Sequence, residues 1–131
     1  MKLECINYDR INFLGARSDV QEYYSRSYLY FQPSIVESFG ISVIEAQFFG
    51  LPCIVSDSGG LPETIVNGQS GLVVSNFFEK YLEAFFTILN DKLLYQQMSN
   101  KAEKNAKLKF TAAKQEENIL QIYNLIKNGG K

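Results

Sequence analysis

PSIVESFGISVIEAQFFGLPCIVSDSGG, residues 33–60, packs two glutamates, a Phe-Gly turn, a helix-like run, a strand-like run and a double glycine into one short span. From Ile41 the apolar residues Ile41, Ile44 and Phe48 recur at spacings of three and four, which predicts a helix with those residues as its core stripe. Gly50 and Pro52 end it. The run PCIVS at 52–56 reads as a buried strand, and SGG follows at once. Gly40 lets the chain turn tightly into the helix, whose first N–H groups and positive dipole end form an anion site.

Strands and helices alternate on either side of this span. INFLG at 11–15 reads as a buried strand. RSDVQEYYSRS follows as a helix capped by Ser18 or Asp19, with Val20, Tyr23 and Tyr24 at helical spacing. YLYFQPS at 28–34 and GLVVS at 71–75 are further strands, and a helical turn is expected around Glu63–Val66. Residues 77–89, 91–107 and 111–127 read as helices, the last with Ile119, Ile122 or Tyr123, and Ile126 as its core stripe. The strands lack polar alternation, so the fold class is α/β, a Rossmann-like parallel sheet flanked by helices. The whole chain, 1–131, reads as one domain.

Composition narrows the chemistry. With no histidine and two cysteines outside any CxxC pair, neither a zinc site nor a His-based triad is available within this chain. Dinucleotide and P-loop glycine patterns are absent. Residues 1–90 carry five Lys/Arg against ten Asp/Glu, and residues 91–131 eight Lys against four. The lysines at 101, 104, 107, 109 and 114 spread over several helical faces, which fits a solvated surface and not a nucleic-acid site. No stretch reaches the roughly 20 apolar residues of a membrane span and no leader is evident, so a cytoplasmic location is expected.

Ligands of parallel sheets bind beyond the carboxyl ends of the strands, where both 33–40 and 57–63 fall. Ser42 adds a hydroxyl to the anion site. Glu45 lies one turn further in, and a carboxylate there suits the vicinal hydroxyls of a ribose. Glu37 lies before the helix and could accept from the hydroxyls of a second sugar. Two carboxylates straddling a phosphate-binding helix start would fit a nucleotide-diphospho-sugar. The simpler alternative keeps Glu45 as a helix-dipole acid and Glu37 as a solvated loop residue; spacing alone does not separate the two. Glu63 reads as the cap of its own turn.

The ordered series FLG, PS..ESFG...EA, G.P.I.SD.GG.PE and NG..GLVV across residues 11–74 resembles the C-terminal, nucleotide-sugar-binding domain of family 4 retaining glycosyltransferases of the GT-B fold. The resemblance implies the C-terminal half of a GT-B enzyme and a donor-binding role in transferring a sugar to a glycan or lipid-linked acceptor. It places Glu37 near the donor sugar as the candidate catalytic-site residue, in a positioning role, and Glu45 at the ribose. Ser38, Phe39, Gly40, Ile41 and Ser42 would supply groups to sugar and diphosphate; Ser38 stands where the family often has glycine. The expected donor is a UDP- or GDP-sugar, with no separate cofactor or metal.

The resemblance also implies what the chain lacks: an acceptor domain, and the Gly-Arg turn and nearby Lys that clamp the diphosphate, for which MKLECINYDR has no counterpart. In the strand order 3-2-1-4-5-6 the two missing strands are the central pair. The expectation is therefore that 11–14 pairs directly with 28–32, or that a homodimer forms through that edge. Activity is not expected from the chain alone. A non-catalytic nucleotide-sugar-binding or assembly module is the alternative, and part of a sugar-nucleotide epimerase a more distant one, since that chemistry needs acid and base groups absent here.

Overall fold

The computed structural model describes residues 10–129. In chain order they form α1 (Val20–Arg26), β1 (Tyr30–Gln32), α2 (Ile41–Phe48), β2 (Cys53–Ser56), α3 (Leu61–Thr64), β3 (Gly71–Val74), α4 (Phe78–Asn90), α5 (Lys92–Lys109) and α6 (Ala112–Gly129). The strands make one parallel sheet in the order β1-β2-β3, with Tyr30 beside Cys53 and Cys53 beside Gly71. All four β2 residues are buried, as a central strand covered on both faces requires.

Two apolar clusters cover the sheet. One joins Val43 and Ala46 of α2 to Leu51, Cys53, Val55, Leu61 and Ile65. The other joins Ile54 to Ala84 and Ile88 of α4 and Met98 of α5. Alternate β2 residues thus face opposite layers. Burial holds the Cys53 thiol far above its usual range, so it acts as a small core residue.

A polar seam ties α2, α3 and α5 together. Gln47, fully buried, donates to Val43 O and at 2.8 Å to Thr64 O. Asn105 of α5 donates to Gln47 Oε1 at 2.8 Å and to Thr64 O at 3.0 Å. Replacing Asn105 by alanine strands the Gln47 oxygen in the core, and the expected cost is about 2–3 kcal/mol of unfolding free energy. Urea unfolding beside the exposed-site control Glu103→Ala checks this; equal midpoints would refute it.

Four expectations need correction. Residues 11–14 form no strand and do not pair with β1; Ile11, Phe13 and Leu14 are exposed, Phe13 at 84%. An apolar run becomes a strand only with a neighbour to complete its ladder, and in the doubly wound order that neighbour is not β1. The buried face of α2 is Val43, Ile44, Ala46 and Gln47, while Ile41 is 68% exposed, because α5 packs against the helix on its Gln47 side. The α6 stripe is uncovered, with Ile119, Ile122, Tyr123 and Ile126 all exposed, since this helix packs chiefly against α5. The turn expected around Glu63–Val66 begins two residues earlier, at Leu61, where Pro62 favours a helix start.

Candidate functional site

The rim at the carboxyl ends of β1 and β2 is built by two loops in contact. Residues 33–40 leave β1, and residues 57–60 leave β2. Gly60 N–H donates to Glu37 O at 3.3 Å, and Ser56 Oγ donates to Ser34 O at 2.6 Å. The backbones approach so closely that a Cβ on Gly59 would lie 1.8 Å from Glu37 O, and one on Gly60 2.4 Å from Ser38 O. The double glycine therefore serves the close approach of loop to loop.

The start of α2 faces this rim without a side-chain cap. Gly40 takes the left-handed conformation, φ 89°, a turn that favours glycine, and a Cβ there would meet Leu61 Cδ2 at 2.5 Å. Val43 and Ile44 N–H both bond back to Gly40 O, so the amides of Ile41 and Ser42 have no acceptor among the described residues. Such free donors at the positive end of a helix suit an oxyanion.

The seven sequence-derived candidates occupy different parts of this frame. Glu37 is half-buried in the first loop, and its Oε1 accepts Ser38 N–H at 3.0 Å, which leaves Oε2 open. Ser38 is exposed. Phe39 turns its ring edge-on to Phe110 at 6.1 Å, so its side chain anchors the loop to the end of α5. Ile41 projects outward. Ser42 Oγ donates to Gln32 Oε1 at 3.4 Å. Glu45 stands on the exposed face of α2 and accepts from Tyr24 Oη at 3.3 Å. Glu63 is exposed in the first turn of α3, but its side chain caps nothing there: Gly60 is the N-cap and the turn has no side-chain cap among the described residues.

Sequence reasoning missed the polar support beneath the loop. Gln32 ends β1, accepts from Tyr30 Oη at 2.6 Å and donates to Ser34 Oγ at 2.9 Å, linking the strand end to both Ser34 and Ser42. A polar residue closing an otherwise apolar strand was the available signal. Tyr24 was also missed, its helical spacing suggesting only packing. A cavity of about 240 Å³ opens between α1 and α2, lined by Val20, Gln21, Tyr24, Glu45, Phe48 and Phe49. A groove of about 170 Å³ between α5 and residues 66–70 shares no residue with this rim.

Among the described residues no group of three His, Cys, Asp or Glu side chains is placed to hold a metal ion, and no helix is long and apolar enough to cross a membrane.

Comparison with known proteins gives a consistent answer. Residues 1–123 match the family model described as glycosyl transferases, group 1. An N,N'-diacetylbacillosaminyl-diphospho-undecaprenol α-1,3-N-acetylgalactosaminyltransferase from Campylobacter jejuni is 34% identical over 105 residues, covering 79% of this chain and 28% of that protein. Sucrose-phosphate synthase from Thermosynechococcus elongatus superposes with a TM-score of 0.79 at 26% identity, over 93% of this chain and 31% of that one. Anabaena HepE, solved in complex with UDP, superposes with a TM-score of 0.81 at 22% identity over 88% of this chain and 32% of that one, a likeness of fold. The chain thus spans between a quarter and a third of the length of these proteins.

Proposed function

We infer the function from one premise: the chain belongs to the group 1 glycosyl transferases. We propose that it is the nucleotide-sugar-binding part of a retaining glycosyltransferase that uses a UDP- or GDP-sugar. The observation that carries this is the uncapped start of α2, with Glu37 before it and Glu45 one turn inside it. HepE, a fold neighbour, was solved in complex with UDP, which supports a nucleotide-sugar donor, and the Campylobacter relative is named for a diphospho-undecaprenol-linked acceptor.

In this reading the Ile41 and Ser42 amides, with the helix dipole, receive the diphosphate. They stabilise the charge it gains as the glycosidic bond breaks, which is electrostatic work by donors already in place. Glu45 accepts from the ribose hydroxyls. Glu37, with Oε2 open, accepts from a hydroxyl of the donor sugar and orients it. Acceptor binding and the basic clamp on the diphosphate come from polypeptide outside this chain. The edge of β1 left unpaired among the described residues is where further strands of the donor domain would add, or a second copy of the isolated chain; sedimentation of the isolated chain separates these.

The test is thermal unfolding of the chain with a panel of nucleotide-sugars. A donor at 100 times its dissociation constant should add about 2.7 kcal/mol. A shift confined to one donor would identify base and sugar together. No shift with any donor at millimolar concentration would overturn the reading. Because the chain spans about a quarter to a third of its relatives, binding without turnover is the expected behaviour of the chain alone.

A further inference from the structure

The reading above gives Glu45 a role and leaves open what holds it. Glu45 stands exposed on α2, where a glutamate side chain has three torsions to fix before both oxygens can meet a diol. Its side-chain partner among the described residues is Tyr24, from α1, whose hydroxyl donates to Oε2 at 3.3 Å.

Tyr24 is itself well fixed. Its ring stands edge-on to Tyr30 with centroids 6.0 Å apart and lies against Phe49 at 5.7 Å. It packs on the apolar cluster formed by Val43, Ala46 and Cys53. Tyr24 and Glu45 both line the cavity between α1 and α2, so the hydrogen bond sits at an open boundary and not in the core.

We propose that Tyr24 is a positioning residue for Glu45, and that the pair selects nucleotides carrying an intact ribose diol. The inference rests on the assignment of Glu45 to ribose. One oxygen of a carboxylate has two lone pairs. Tyr24 occupies one of those on Oε2, and the remaining lone pair there, with those of Oε1, can accept both ribose hydroxyls. Burial, then the nearby Tyr30 and Glu45, push the Tyr24 phenol up to about 12, so it remains a hydrogen-bond donor throughout the neutral range. Tyr23, the adjacent residue of α1, makes no hydrogen bond through its hydroxyl among the described residues; its ring lies under the Arg17 guanidinium at 5.6 Å. It is the natural control.

The experiment measures binding of whichever of UDP and GDP the chain takes, and of its 2′,3′-dideoxy counterpart, to native chain, Tyr24→Phe, Tyr23→Phe, Glu45→Ala and the Tyr24→Phe/Glu45→Ala double variant. Tyr24→Phe, which keeps the ring and removes one oxygen, should weaken the ribonucleotide about threefold to tenfold, in the range of one ordinary hydrogen bond lost at an open boundary. It should leave the dideoxy ligand unchanged. The double variant should bind no more weakly than Glu45→Ala, because Tyr24 acts through that carboxylate. Tyr23→Phe should match the native chain.

If Glu45→Ala weakens the ribonucleotide but Tyr24→Phe does not, the positioning role is overturned and the ribose assignment stands. If Tyr24→Phe weakens both ligands equally, its effect is structural and the proposal also falls. If Glu45→Ala binds as the native chain does, or the native chain binds neither nucleotide, the ribose assignment fails and takes this inference with it.

Discussion

Gly59→Ala is expected to lower the unfolding free energy by more than about 3 kcal/mol, at the severe end of single substitutions. Two costs add. The residue sits at φ 57°, where an alanine pays roughly 1–2 kcal/mol against glycine. Its Cβ would also lie 1.8 Å from Glu37 O and 3.0 Å from Glu37 C, and both are backbone atoms that no rotamer change can move. The loop must shift as a whole, breaking the 3.3 Å bond from Gly60 N–H to Glu37 O. Gly68→Ala is the matched control, since Gly68 has φ 76° and nothing within 4 Å of an added Cβ. Denaturant unfolding of both variants isolates the contact from the φ penalty. Equal losses would mean that the two rim loops are not locked together as described.

Glu45→Ala is expected to weaken nucleotide binding by about 30- to 100-fold while changing stability by less than about 0.5 kcal/mol. The affinity loss follows from two hydroxyl donors losing a charged acceptor, and each factor of ten corresponds to about 1.4 kcal/mol. The small stability effect follows from exposure: Glu45 stands outside both apolar clusters. The sign is informative. Removing a negative charge near a diphosphate should strengthen binding by simple Coulomb reasoning, so weakening points to a specific contact. Glu63→Ala removes an exposed acid of the second loop's helical turn and should leave affinity level or slightly higher. Calorimetry on both variants decides it; unchanged affinity in Glu45→Ala would remove the ribose contact.

Local patterns carried much of the architecture. The bounds of α2 follow from periodicity, Gly40, Gly50 and Pro52, those of α4 and α5 lie within two residues of the spans read from the sequence, and the two-loop rim follows from strand polarity. Apolar periodicity states which residues favour burial, but not which neighbour is present to bury them. Ile11, Phe13 and Leu14 read as a strand and lie exposed for want of a ladder partner, and the α6 stripe lies open for the same reason. Ile41 was read into the core stripe of α2, and Gln47, which is buried instead, was passed over. A buried glutamine looks polar in sequence, and only the amide seam to Asn105 and Thr64 makes its burial favourable. Of the candidate site, the helix start was readable from turn chemistry, whereas the glutamate pair drew its roles from the family resemblance and not from spacing. Tyr24 was not readable, because its role depends on a contact with another helix, and Gln32 was passed over although a polar residue closes its apolar strand.

The strand order β1-β2-β3 has a consequence for how the chain reaches this shape. Each strand pairs with the one synthesised just before it, Tyr30 with Cys53 and Cys53 with Gly71, so the sheet and both rim loops assemble through short loop closures. The amide seam is the distant event: Asn105 meets Gln47 across 58 positions. A folding transition state centred on β1, α2 and β2 would then leave Asn105 uninvolved, and damage at Asn105 would appear as faster unfolding rather than slower folding. The two-loop rim would be laid down early, and the helix that braces it from behind would dock later.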